Sequence, residues 1–315
     1  MLLDANLDAL HVDGGTEPSA LARGPGDPHA ALRASIDSHL NQLLPRADHP
    51  DSRVAAAMRY GVLAPGKRIR PLLMLLTAQD LGQDHHRLMP AACALEMIHA
   101  ASLFIDDMPC MDDAQLRRGQ PTVHIKYGQD VAVLASIGLL SLALRTVASS
   151  PLLPSAVRAE MTAVLAQATE LLVAGQYRDL HEQESPSAQA VGAINLQKTG
   201  SLFSAAFDMA ALGASASGET RRHLHHAALE LGQAFQLCDD LDDAEKDAAS
   251  IGKDCGQDAN KTTLVTLLGL QGARQKLAEH LDALDAHLSQ ALCQDSQVAS
   301  LLRRSLTPHL TRRLH

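Results

Sequence analysis

From Leu32 onward, apolar residues return at steps of three and four: Leu32, Ile36, Leu40 and Leu43, then Val54, Ala57, Met58 and Val62. That spacing draws an apolar stripe along a helix, and Pro45 and Pro65 close the two runs. No hairpin signal or alternating strand pattern competes. Further helical windows are predicted over roughly 69–82, 89–107, 130–148, 155–181, 187–211, 219–247, 261–269, 271–292 and 296–314. Pro151, Pro154, Pro186, Gly213 and Gly218 punctuate them. Hydrophobic residues make up 46% of the 315, yet aromatic residues only 2%, so Ala and Leu must build the core. The expected fold is all-α, in one domain over residues 29–315, because no Gly/Ser-rich linker or internal repeat divides the chain. The segment 13–28 mixes Gly, Pro and acids without periodicity, and residues 1–28 are read as an N-terminal arm.

Charge excludes some functions. With 27 Lys and Arg against 36 Asp and Glu the net charge is −9, which repels a phosphate backbone and argues against nucleic-acid binding. Five cysteines, Cys93, Cys110, Cys238, Cys255 and Cys293, include no CxxC pair, so neither a disulfide framework nor a structural zinc site is expected. The amino terminus carries acids where a signal peptide needs a basic start. The longest apolar run, Val131 to Leu144, falls short of the roughly 20 residues of a membrane span and reads as a buried core helix. A cytoplasmic protein without a transmembrane segment is the expectation.

Two acidic clusters close long apolar helices. The first runs Asp106-Asp107-Met108-Pro109-Cys110-Met111-Asp112-Asp113; the second is Asp239-Asp240-Leu241-Asp242-Asp243. Asp239 and Asp243, four apart, share a helix face, where like charges are unfavourable unless neutralised. Asp106 and Asp112, six apart, would oppose each other on an ideal helix; Pro109 is expected to bend the helix and swing Asp112 back. A single acid run is more often a solvated face, but two such runs, one followed by Arg117-Arg118-Gly119, favour a metal. Gathered carboxylate oxygens suit Mg²⁺, a hard cation that also takes substrate phosphates. An EF-hand is excluded by the ligand spacing.

Basic residues are grouped as well. Gly66-Lys67-Arg68-Ile69-Arg70-Pro71 places cations in a turn that opens a helix, where free amides and the helix dipole favour an anion. Lys198-Thr199-Gly200, Lys253 and Lys261 are further candidates, whereas His99, by its apolar setting alone, reads as a core histidine.

Taken together, these motifs resemble the trans-isoprenyl diphosphate synthases, the polyprenyl synthetase family, over residues 29–315. Glu96 to Gly119 and the run Leu-Gly-Gln-Ala-Phe-Gln-Leu-Cys-Asp-Asp-Leu-Asp-Asp ending at Asp243 are most similar to bacterial geranylgeranyl diphosphate synthases of carotenoid or diterpenoid type. The resemblance implies antiparallel helices around a deep central cavity, in a homodimer. It implies that Asp106, Asp112 and Asp239 bind Mg²⁺, with Mn²⁺ able to substitute, and that Asp107, Asp240 and Asp243 support them. Arg117, Lys198, Lys253 and Lys261 would hold the allylic diphosphate (dimethylallyl, geranyl or farnesyl). Lys67, Arg70, His99 and Arg118 would hold isopentenyl diphosphate, while Thr199 and Gln236 steady the allylic cation.

Product length is expected to depend on the residues one turn before Asp106. Ala101 and Ser102 are small where farnesyl synthases commonly carry a ring, which points to a C20 product, with Met97, Ile98 and Ile137 as lower floors. The two extra residues in the first motif limit length in similar enzymes. Several positions depart from the family pattern: Pro65 for the first Gly of GGKR, Asn260-Lys261-Thr262-Thr263 for GKST, Ala114-Gln115 within the acid run, and Ile137 for an Asp. The alternatives are a farnesyl diphosphate synthase, a catalytically silent partner subunit, and a terpene cyclase. The intact Asp motifs speak against the silent subunit, and Asp239 to Asp243 speaks against the cyclase.

Overall fold

The structure is a computed structural model that describes residues 27–48, 52–181, 187–245 and 263–311. The expected arm at 1–28, apart from its last two residues, lies outside these, as do Lys253 and Lys261.

Helices dominate, as the apolar periodicity requires. They are α1 (Ala30–Leu43), α2 (Arg53–Val62), α3 (Ile69–Asp80), α4 (Met89–Asp106), α5 (Val123–Tyr127), α6 (Gln129–Ala148), α7 (Ser155–His181), α8 (Ala188–Asn195), α9 (Ser201–Gly213), α10 (Gly218–Glu245), α11 (Leu264–Ala291), α12 (Gln297–Leu306) and α13 (Pro308–Thr311). Local chemistry starts several of them. The Ser187 hydroxyl accepts from the Ala190 amide, and Thr263 and Thr266 form a reciprocal capping box. Asp80, at the end of α3, accepts from the Gln297 and Val298 amides and from Ser296, placing a carboxylate at the positive start of α12. Within α11, Gly269 adopts φ 70°, so the helix breaks close to the predicted gap between two windows.

The predicted helix over 187–211 is not continuous. Residues Leu196–Gly200 widen into a π-type turn between α8 and α9, and this turn carries Lys198 and Thr199. Such turns recur at functional sites because the extra residue re-aims its neighbours. A second departure is a hairpin: β1 (Leu116–Arg117) pairs antiparallel with β2 (Gln120–Pro121). Its two central residues, Arg118 and Gly119, have φ 54° and 75°, the mirror-image turn that suits a two-residue loop. No alternating pattern betrays it, since each strand is two residues long.

α4 lies inside the bundle. Ala91, Ala92, Leu95, Met97 and Ala101 are all fully buried, and α3 buries every residue from Leu72 to Leu76. The core is Leu and Ala packed around Phe203 and Phe207, as the composition demands. The Val131–Leu144 run is only partly the core helix expected of it. α6 buries Val131, Ala132, Ala135 and Leu139 but turns Val133, Leu134 and Ile137 outward. By length and composition α4 and α6 would each suffice to cross a membrane, but α4 is mostly enclosed by the bundle.

Candidate active site

α4 ends at Asp106, and a tight loop follows rather than a bent helix. The Met108 amide still bonds to the Ile105 carbonyl; the chain then doubles back, and the Asp112 amide donates to the Asp106 carbonyl at 2.9 Å. The two residues are thus adjacent, as anticipated, but through helix termination and a turn. Proline at position 109, lacking an amide proton, forbids another turn of helix. Asp113 follows with φ 48°. Arg68, Asp113 and Arg118 are three of the four non-glycine residues with positive φ among the described residues, and all three belong to the acidic or basic motifs.

Burial pushes the Asp106 carboxyl up to about 6; Asp112 and Asp107 add to the rise, while Lys198 and Arg117 oppose it. Asp107 is 2% exposed on its side chain and accepts from Arg117 at 2.6 to 2.7 Å, so Arg117 is tied to the first motif. Lys198, half-buried, bonds Asp179 of α7 at 2.7 Å. The Thr199 hydroxyl donates to Gln236 Oε1 (2.8 Å), and Gln236 Nε2 donates to Asp240 Oδ1 (2.9 Å). This chain joins the π-type turn to the second motif on the last turns of α10, where Asp239 is exposed, Asp240 buried and Asp243 half-buried.

The basic cluster gathers on the other side. The Arg70 guanidinium lies 4.7 Å from the Phe203 ring centre and 6.0 Å from that of Phe235, and Nη1 is 3.3 Å from His99 Nε2. Burial lowers Arg70 to about 10, against the pull of Glu96 and Asp239. Burial and the cations Arg70, Arg118, Arg117 and Arg68 hold His99 well below its usual range, so its imidazole is neutral. His99 is therefore no isolated core histidine. Exposed Lys67 and Arg118 stand at the rim, and a Cβ on Gly66 would come within 2.7 Å of the Arg118 guanidinium.

Arg68 organises this turn, though the motif alone did not single it out. Its guanidinium, 2% exposed, bonds Glu96 and Asp37 at 2.8 Å each and the Ala64 carbonyl at 3.0 Å. Sequence reasoning also missed Glu96, Asp37 and Asp179, which are distant in sequence from the groups they hold. It missed Gly175 as well, where a Cβ would lie 2.5 Å from the Lys198 nitrogen.

A cavity of about 300 Å³ opens beside Asp106 and runs between α4, α6 and α7. Ile98, Ala101 and Ser102 line it, as the small-residue argument predicts. Two predicted floor residues do not. Met97 is fully buried in the core and is not part of the cavity wall, and Ile137 is 56% exposed on the outside of α6. Instead Ser136 and Leu140 line it from α6, with Thr169, Leu172 and Gln176 from α7.

The donor set suits a hard divalent cation: each motif supplies several carboxylates, some of them buried.

Comparison with known proteins agrees with this geometry. A chain from Pantoea ananas described as geranylgeranyl diphosphate synthase is 51% identical over 268 residues, covering 84% of this chain and 87% of that one. One of the same description from Pseudescherichia vulneris is 49% identical over 284 residues, 89% and 91% of the respective chains. Among solved structures, an apo FPP/GFPP synthase from Zymomonas mobilis superposes with a TM-score of 0.78 at 32% identity, covering 88% of this chain and 96% of that one. The polyprenyl synthetase family model matches residues 51–304, a span that holds both Asp motifs, the basic turn and the residues that line the cavity. With fold, motifs and sequence in agreement, the chain belongs to the polyprenyl synthetase family.

Proposed function

We propose that the protein condenses isopentenyl diphosphate with allylic diphosphates and releases geranylgeranyl diphosphate, as a geranylgeranyl diphosphate synthase. The observation that carries this reading is the cavity beside Asp106, whose wall one turn back is Ala101 and Ser102 rather than a ring. Relatives of about half-identical sequence with that printed activity support it.

In the reaction, the allylic C1–O bond breaks heterolytically and the electron pair leaves with diphosphate. Mg²⁺ held by Asp106, Asp112 and Asp239 would supply Lewis-acid charge for that leaving group, and Mn²⁺ has the same donor preference. Asp107, bonded to Arg117, and Asp240, bonded to Gln236, would support those ligands together with Asp243. Arg117, tied to Asp107, and Lys198, tied to Asp179, would add positive charge there; Lys253 and Lys261, given the same role, lie outside the described residues. Lys67, Arg70, neutral His99 and Arg118 receive isopentenyl diphosphate, whose double bond attacks the allylic carbon. The released diphosphate then accepts the proton, so no side-chain base is needed. Thr199 and Gln236, hydrogen-bonded to each other, would steady the allylic cation.

Residues 29–315 act as one catalytic domain in a cytoplasmic homodimer. Val133, Leu134 and Ile137 on α6, with Val173 and Tyr177 on α7, expose an apolar face suited to a second copy.

The test is product analysis. With Mg²⁺, farnesyl diphosphate and isopentenyl diphosphate, the purified protein should yield geranylgeranyl diphosphate. A product from dimethylallyl diphosphate that stops at C15 would overturn the length assignment, and no product at all would restore the silent-subunit reading.

A further inference from the structure

Gln176 is 6% exposed and lines the cavity from α7, yet neither its Nε2 nor its Oε1 finds a hydrogen-bond partner among the described residues. A buried carboxamide without partners is costly, and a Leu or Met of similar size would fill the wall without that cost. Such a group calls for a ligand that satisfies it.

Its position says which part of a ligand. Gly175, the preceding residue, packs against the backbone of Gln197 and Lys198, and Asp179, one turn on, holds Lys198 at 2.7 Å. Gln176 therefore lies level with the Lys198–Thr199 turn, at the Asp106 end of the cavity. Leu172, Val173 and Leu180 on the same helix, with Ile98 and Ile105 opposite, make much of the surrounding wall apolar.

We propose that Gln176 is a further catalytic residue, whose carboxamide oxygen faces the allylic head and stabilises the cation formed when the C1–O bond breaks. This rests on the prenyl-transfer reading above. The electron pair departs with diphosphate, and the positive charge spreads over C1 and C3 beside a largely apolar wall. A fixed carbonyl dipole is already oriented toward that charge. An amide serves better than a carboxylate here, because a carboxylate oxygen is nucleophilic enough to trap the cation as an ester.

The experiment compares the parent protein with Gln176→Met, which keeps the length and shape of the side chain, and Gln176→Leu, in case Met repacks badly. Single-turnover transfer from geranyl diphosphate to isopentenyl diphosphate should slow by about tenfold or more in both. Affinity for geranyl S-thiolodiphosphate, which binds without ionising readily, should stay within about threefold, since ground-state binding does not use the dipole. With 2-fluorogeranyl diphosphate, whose cation is less stable, the variants should be slowed further still. Transfer within twofold of the parent in both variants would refute the role. So would a loss of thiolodiphosphate affinity that matches the loss of rate, which is what a merely structural residue produces. A parent that transfers no prenyl group overturns this inference together with the proposed function, whereas an active parent with indifferent variants overturns this inference alone.

Discussion

The amide of Asp112 donates to the carbonyl of Asp106 at 2.9 Å, so two acids six residues apart stand side by side at the end of α4. The contact is between backbones, so it joins the two positions without using either carboxylate. Replacing either side chain should therefore disturb the chemistry while sparing the turn.

Asp106→Ala and Asp239→Ala are each expected to lower turnover by about a thousandfold or more, with far-UV circular dichroism unchanged. Chelating Mg²⁺ from the parent should have the same effect, and readdition should restore activity. Near-normal turnover in both variants would sink the metal assignment.

Ala101 is fully buried and lines the cavity, whereas Ile137 is on the outside of α6. Ala101→Tyr should place a ring across the cavity and shift the main product from C20 toward C15. Ile137→Asp, which would add an Asp where farnesyl-type relatives carry one, should leave the product length unchanged. Chromatography of the hydrolysed products reads both, and an unaltered C20 product in Ala101→Tyr would mean that the chain grows elsewhere.

Gly66 leaves room for the Arg118 guanidinium, which a Cβ would approach to 2.7 Å. Because the crowded atoms end a flexible side chain, Gly66→Ala should fold normally but displace Arg118 from the anion site. The expected result is a KM for isopentenyl diphosphate raised about tenfold, a loss of roughly 1.4 kcal/mol, with the allylic KM unchanged. Equal changes in both constants would point to a general distortion.

The turn of Lys198 and Thr199 is held between two glycines. A Cβ on Gly175 of α7 would lie 2.5 Å from the Lys198 nitrogen, and one on Gly232 of α10 would lie 2.8 Å from the Gly200 Cα. Here the obstacle is backbone, which cannot swing aside. Gly175→Ala should cost about 1–3 kcal/mol of stability, read by urea denaturation, and lower kcat as the turn shifts. A variant as stable and active as the parent would show that α7 and the turn are not packed tightly enough to exclude a methyl group.

Local information sufficed for much of this protein. The repeat of apolar residues at three and four set the helices, the prolines with Gly213 and Gly218 marked several of their ends, and the motifs carrying Asp106, Asp239, Lys67, Arg70 and Lys198 were legible because each lies within a few consecutive residues. Direction was not legible. α6 is apolar on both faces, so nothing along the chain says that Leu140 looks into the cavity and Ile137 away from it; only the helices packed against α6 decide that. The same holds for Gln176, one polar residue among many on α7 until burial deprives it of partners, and for Arg68, whose carboxylate partners lie 31 and 28 residues away. Periodicity reports how a segment folds on itself, whereas the wall of a cavity belongs to several segments at once and exists only after they pack.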